Sequence, residues 1–144
     1  MDVVRIAYGI YLFVLAFFDI KKKMVPVSLL LSGLIFIPAF LAEDGFSDVR
    51  GNVLGLIPGI IFLLISFVSR EQIGRADCIL LIILGSCIGI EAVAGIIAFS
   101  LILIAICSMV MLTAGRLSRK STLPYIPFVF LGYLAYIVII GDVL

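Results

Sequence analysis

Two carboxylates stand where a carboxylate is least comfortable. Asp19 closes the apolar block Ile6–Phe18, and Asp77 opens the long apolar block that begins at Cys78. Acids at the edge of membrane-length apolar runs are costly and by default mark function. Two of them close enough to share a proton form an acid–base pair. The ionised one draws a proton from water, and the neutral one donates to a scissile carbonyl. That is aspartic proteolysis, and it requires no cofactor. The composition permits little else for hydrolysis. The chain has 0 His, so a His-based triad, a His metal site and a haem proximal His are all absent. Its three cysteines, Cys78, Cys87 and Cys107, form no C-x-x-C and lie in apolar stretches. They read as small core residues rather than a zinc site or a disulfide frame.

Each aspartate has a blander reading. Asp77 opens a helix, where an Asp can simply cap free N–H groups. Asp19 closes one, where Lys22 or Lys23 can neutralise it. Helix dipoles favour an ionised Asp77 and disfavour an ionised Asp19, so the expectation is that Asp19 holds the shared proton.

The elements that must position these groups follow from composition. Of 144 residues, 65% are hydrophobic and 13% charged, against about a quarter charged in a soluble domain. Too little polar surface remains to coat a soluble globule, so the chain reads as an all-α integral membrane protein of one domain, 1–144. The net charge of +1 argues against nucleic acid as a partner. Charged residues cut the chain into apolar blocks. The block from Cys78 to Gly115 carries one charge, Glu91, and is nearly two bilayers long. It should therefore fold back at Gly89-Ile90-Glu91. The expected helices cover about 3–19, 25–42, 52–69, 77–90, 92–114 and 124–141. The N-terminus has no basic n-region, so its first apolar run is expected to be a retained helix rather than a signal peptide.

Six spans put both termini on one side. Lys21, Lys22, Lys23, Arg70, Arg75, Arg116, Arg119 and Lys120 then gather on the other, leaving Arg5 and Arg50 opposite. The positive-inside rule makes the basic side cytoplasmic and the termini external. Asp19 and Asp77 both fall at the cytoplasmic boundary. Glu71 reads as a solvated loop charge rather than a third acid. Gly51, Gly55 and Gly59, with Gly85 and Gly89, recur every four residues. Such spacing lets helix backbones approach closely in lipid. Packing within the bundle is the first reading and a homodimer face the second. Pro58 should bend or break the third helix. The polar stretch Ala42–Asn52 has room for a short amphipathic piece.

At these residues the chain resembles a known family. Phe18-Asp19-Ile20-Lys21-Lys22-Lys23-Met24-Val25-Pro26 looks like the first motif of prepilin peptidases: an Asp ending helix one, a basic loop, then an aliphatic-Pro pair. Gly74-Arg75-Ala76-Asp77 is similar to their second motif, G-x-G-D, shared with preflagellin peptidases and more distantly with presenilins. Leu123-Pro124-Tyr125-Ile126-Pro127-Phe128 is similar to the P-[FY]-x-P-[FY] segment that opens their last helix. Three positions depart from the pattern. Ala76 replaces a Gly, Ile79 stands where many members carry Lys, and Val27 replaces a common Asn.

The resemblance implies a membrane aspartyl endopeptidase with Asp19 and Asp77 as the catalytic pair and no cofactor. Pro26, Gly74, Arg75, Ala76, Pro124 and Pro127 would shape the site. The partner would be a prepilin-like or preflagellin-like protein, cut at its basic leader on the cytoplasmic face of the cell membrane. Larger bacterial members also N-methylate the new terminus and carry a segment with two C-x-x-C pairs. This chain has neither that segment nor those cysteines, and so looks like the compact, peptidase-only form. Tyr125 and Phe128 either line the substrate groove or form an interfacial belt. The competing class is a non-enzymatic membrane protein, either an inactive pilin-binding homologue or a small transporter subunit. A transporter would be expected to hold acids near the bilayer midplane, and here no acid sits mid-helix.

Overall fold

A computed structural model describes residues 2–43, 49–69, 74–115 and 123–143. The described residues are all-α and form six helices. They are α1 (Asp2–Lys22), α2 (Val27–Glu43), α3 (Val49–Val68), α4 (Arg75–Ile88), α5 (Ile90–Thr113) and α6 (Ile126–Val143). Three are long and apolar enough to cross a membrane, namely Val3–Lys22, Val49–Val68 and Ile90–Thr113, while Val27–Glu43 and Ile126–Ile139 are shorter apolar helices. Glu71, Arg70 and the basic stretch from Arg116 to Lys120 lie outside the described residues.

The expected hairpin is present and sharper than foreseen. One residue, Gly89, separates α4 from α5, at φ 83° and ψ 171°. Only glycine enters that region without a steric penalty, so the turn sits on the Gly and leaves Glu91 in the first turn of α5. The break in α3 falls at Gly55, between Val49–Leu54 and Leu56–Val68. Pro58 explains it, because a proline offers no N–H to the carbonyl four residues back and its ring crowds that group. Here that carbonyl belongs to Leu54. Pro38 has the same relation to Leu34, and α2 tightens into a 3-10 turn over Gly33–Ile35. Of the stretch Ala42–Asn52, residues 49–52 belong to α3 rather than to a separate amphipathic piece.

The spaced glycines join α3 to α4 within the chain. A Cβ on Gly55 would run into the Gly85 carbonyl, and one on Gly85 into the Gly55 carbonyl. One on Gly59 would lie 2.6 Å from the backbone N of Ile82. This is the small-residue packing expected between helices in lipid. It draws α4 into the centre, where Cys78, Leu80, Leu81, Ile83, Leu84 and Cys87 are all buried. With 14 residues, α4 is about 21 Å long, short of a bilayer core of about 30 Å. Its neighbours α2, α3 and α5 shield it.

Polar ties fix the other helices. The Tyr11 hydroxyl donates to the carbonyls of Leu29 and Leu30, at 3.1 and 2.9 Å, joining α1 to α2. The Tyr133 hydroxyl donates to the Arg5 carbonyl at 3.0 Å, joining α6 to α1. The Ser100 hydroxyl reaches the Phe128 carbonyl at 3.0 Å, joining α5 to α6. Tyr8 sits among Tyr11, Phe36, Phe40 and Tyr133, with ring centroids 5.2 to 5.7 Å away. The outward face is as apolar as the inward one. Val3, Ile6, Ile10, Phe13, Phe17 and Ile20 of α1 are all exposed, as a lipid-facing stripe would be.

Candidate active site

Asp19 extends the buried stripe of α1. Tyr8, Leu12, Leu15 and Asp19 follow one another at spacings of four, three and four, so they share a helix face. The first three are fully buried and Asp19 is only 9% exposed. Its side chain therefore points into the bundle. The helix ends directly afterwards. Lys23 takes φ 50°, and its N–H donates to the Asp19 carbonyl at 2.9 Å. This left-handed residue turns the chain away, so that Met24 and Val25 line a cavity beside Asp19. Pro26 then starts α2, its carbonyl accepting the N–H groups of Leu29 and Leu30.

Asp77 lies in the first turn of α4. Gly74 precedes that helix in an extended conformation, at φ −60°, and its carbonyl accepts the N–H groups of Asp77 and Cys78 at 3.1 and 3.3 Å. The glycine is required by space rather than by φ. A Cβ at position 74 would lie 2.9 Å from the Asp77 Oδ2. The short G-x-x-D spacing thus leaves room for the carboxylate where it stands.

The two aspartates line one cavity of about 560 Å³, and Asp77 lies within electrostatic reach of Asp19. Gly74, Arg75 and Ala76 lie on the wall beside Asp77, and Leu123, Pro124 and Tyr125 close another side. Phe62 of α3 and Leu101 and Ile104 of α5 make the remaining wall apolar. Of the residues expected to shape the site, Gly74, Arg75, Ala76 and Pro124 line the cavity. Pro26 and Pro127 do not; Pro26 directly precedes α2 and Pro127 lies in the first turn of α6. Tyr125 faces the site, whereas Phe128 does not line it. Ile79 is half-buried against the hydrophobic core, so an aliphatic side chain suits that place. Among the described residues, no group of three or more His, Cys, Asp or Glu gathers where it could hold a metal ion.

Of the two lysines that could serve as counter-charges for Asp19, Lys23 lines the same cavity. Lys22 lies over the ring of Phe18 at 5.7 Å, and Lys21 over Phe17 at 4.9 Å. The Asp19 Oδ2 accepts the backbone N–H of Ile126 at 3.3 Å. Ile126 is the first residue of α6, so this carboxylate also meets the positive end of a helix. At Asp19 the dipole of α6 therefore opposes that of α1, so helix dipoles alone no longer assign the shared proton to Asp19. Residue types alone could not reveal this contact, since every residue but proline carries a backbone N–H.

Residues 6–112 match the sequence profile described as the type IV leader peptidase family. Over 128 residues the chain is 27% identical to a prepilin leader peptidase/N-methyltransferase of Bacillus subtilis (strain 168), covering 88% of this chain and 52% of that protein. The chain thus spans about half the length of that curated relative. No solved structure matches it.

Proposed function

Because the chain belongs to the type IV leader peptidase family, we propose that it is an aspartyl endopeptidase of the membrane boundary. It removes the leader of prepilin-like or preflagellin-like precursors at the cytoplasmic face. The observation that carries this reading is the shared cavity: Asp19 at the end of α1 and Asp77 at the start of α4 open onto one space with a largely aliphatic and aromatic wall. Such a wall suits a segment next to a hydrophobic helix, and the lipid around the bundle is where that helix would approach.

In the proposed reaction, Asp19 is the base and Asp77 the acid. An N–H bond to a carboxylate supports its charge, and Asp19 receives one from Ile126. Ionised Asp19 takes a proton from a water molecule, whose oxygen bonds to the scissile carbonyl carbon. The carbonyl π pair moves onto its oxygen, which takes the proton of Asp77. The resulting gem-diol then collapses. Asp19 returns its proton to the departing amine, the C–N bond breaks, and one diol hydroxyl gives its proton back to Asp77. Atoms and charges balance, and both acids end as they began. Lys21, Lys22 and Lys23 anchor the cytoplasmic end of α1, in keeping with the positive-inside rule.

The test is co-expression with a prepilin encoded nearby, following leader removal by mass shift. Wild type should cleave, while Asp19→Asn and Asp77→Asn should each lower cleavage by about 10³-fold or more, as loss of one member of a concerted pair does. Cleavage that survives either substitution would refute the pair.

A further inference from the structure

The Tyr125 hydroxyl is buried and has no hydrogen-bond partner. Buried polar groups are nearly always paired, and an unpaired one is costly. The backbone that carries it is fixed. The Tyr125 carbonyl accepts the N–H groups of Phe128 and Val129 at 3.0 and 3.2 Å, and Pro124 and Pro127 restrict the chain on either side. The ring lines the cavity that holds both aspartates, and Asp77 and Cys78 line that cavity with it. Its chain neighbour, Ile126, already holds Asp19. Tyr8 also has an unpartnered hydroxyl, but its ionisable neighbours are Cys87, Tyr11 and Tyr133. For Tyr125 the shared cavity offers an acceptor, the Asp77 carboxyl group, which accepts most strongly once it has given up its proton.

We propose that Tyr125 is a positioning residue for Asp77, its hydroxyl donating a hydrogen bond to the carboxylate that forms when Asp77 protonates the scissile carbonyl. The proposal rests on the paired-aspartate reading. The segment Tyr125–Ile126 then serves both acids, one through a backbone N–H and the other through a phenol. A phenol is a suitable donor because it keeps its proton far above neutral pH. The hydrogen bond is absent at rest and gained near the transition state, so it raises kcat rather than tightening substrate binding.

Among the described residues, the charged and titratable groups that line the cavity with Asp77 are Asp19 and Lys23 from the end of α1, Arg75 and Cys78 on α4 itself, and Tyr125. The walls from α3 and α5 are Phe62, Leu101 and Ile104, which carry no charge. Removing the phenol therefore removes one neutral donor and leaves these charges in place.

The experiment measures kcat, KM and the pH profile of prepilin cleavage in proteoliposomes for wild type, Tyr125→Phe and Asp77→Asn. Tyr125→Phe should lower kcat about 10-fold or more, as expected for loss of a hydrogen bond to a charged group, with KM changed less than twofold. Ionised Asp77 loses a stabilising donor, so the alkaline limb of the profile should move to higher pH. Replacing Tyr125 by 3-fluorotyrosine keeps the ring and strengthens the donor while leaving it a weaker acid than a carboxyl group, so it should move that limb to lower pH. The fluorinated protein retains a test if the phenylalanine variant folds poorly. An unmoved limb in the folded variants overturns the proposal, even if kcat falls, because a merely structural role would act that way. A rise in KM alone also overturns it. If Asp77→Asn abolishes cleavage while Tyr125→Phe matches wild type, the proposal fails and the aspartate pair stands. If Asp77→Asn cleaves normally, both fail.

Discussion

Asp19 and Asp77 are held in place by different means, and the difference predicts which neighbours matter. Asp19 is gripped by a backbone N–H from a distant segment, while Asp77 depends on empty space over Gly74. Gly74→Ala would set a methyl group 2.9 Å from the Asp77 Oδ2. That atom ends a mobile side chain, so it will swing aside rather than unfold the helix. At φ −60° alanine is also conformationally favourable, and such changes stabilise by about 0.4–1 kcal/mol. We expect Gly74→Ala to leave the melting temperature in detergent equal or higher, yet to slow cleavage by about 10²-fold, the cost of an ångström-scale misplacement. An unaltered rate would show that the carboxylate position is not critical. The two acids were legible in the sequence because a carboxylate beside a long apolar run is energetically conspicuous. The roles of Ile126 and Tyr125 were not. One acts through a backbone group common to all residues, and the other through a hydroxyl whose neighbours are fixed only by tertiary packing.

Between elements, the contact of α3 with α4 fixes the place of α4, which carries Asp77. Gly55 and Gly85 meet backbone to backbone, so an added methyl group meets a carbonyl that cannot step aside. Gly85→Ala should force α4 away from α3 and destabilise the bundle by about 1–3 kcal/mol, the usual range for overpacking. It should also slow cleavage, because Asp77 moves with its helix. Gly95 provides the contrast. It lies on α5 with nothing within 4 Å of an added Cβ, so Gly95→Ala should be neutral or stabilising by up to about 1 kcal/mol. Thermal unfolding of both variants in one detergent checks the pair of expectations. A third follows from Gly89, at φ 83° and ψ 171°: Gly89→Ala should destabilise by about 1–3 kcal/mol, the cost of placing a Cβ in a backbone region that essentially only glycine adopts. Helix number and the Gly89 hairpin were readable beforehand, since length and glycine placement dictate them. The central place of α4 was not. Inward and outward faces of these helices are equally apolar, so no periodicity separates lipid contacts from protein contacts.

For the whole molecule, the remaining question is which way the bundle sits, and the charge distribution supplies an argument. Leu64, Phe67 and Val68 on α3 and Ile102, Ile106 and Met109 on α5 are exposed to the surroundings, so the girdle faces hydrocarbon and does not distinguish one end from the other. Fixed charge does. Lys21, Lys22 and Lys23 are exposed at the end of α1, and Asp19 and the cavity lie at that same end. Arg50 and Glu91 are exposed at the starts of α3 and α5, whose other ends pass Phe62 and Ile104 on the cavity wall. Positive charge near helix ends is retained on the cytoplasmic side, so the cavity should open inward and Glu91 should face out. The check uses single cysteines in a chain whose three native cysteines are changed to alanine. With an impermeant maleimide added to intact cells, Glu91→Cys should label and Lys21→Cys should label only after lysis. The reverse pattern would put the aspartates on the outer face, away from any cytoplasmic leader, and would exclude the proposed substrate encounter whatever the geometry of the pair.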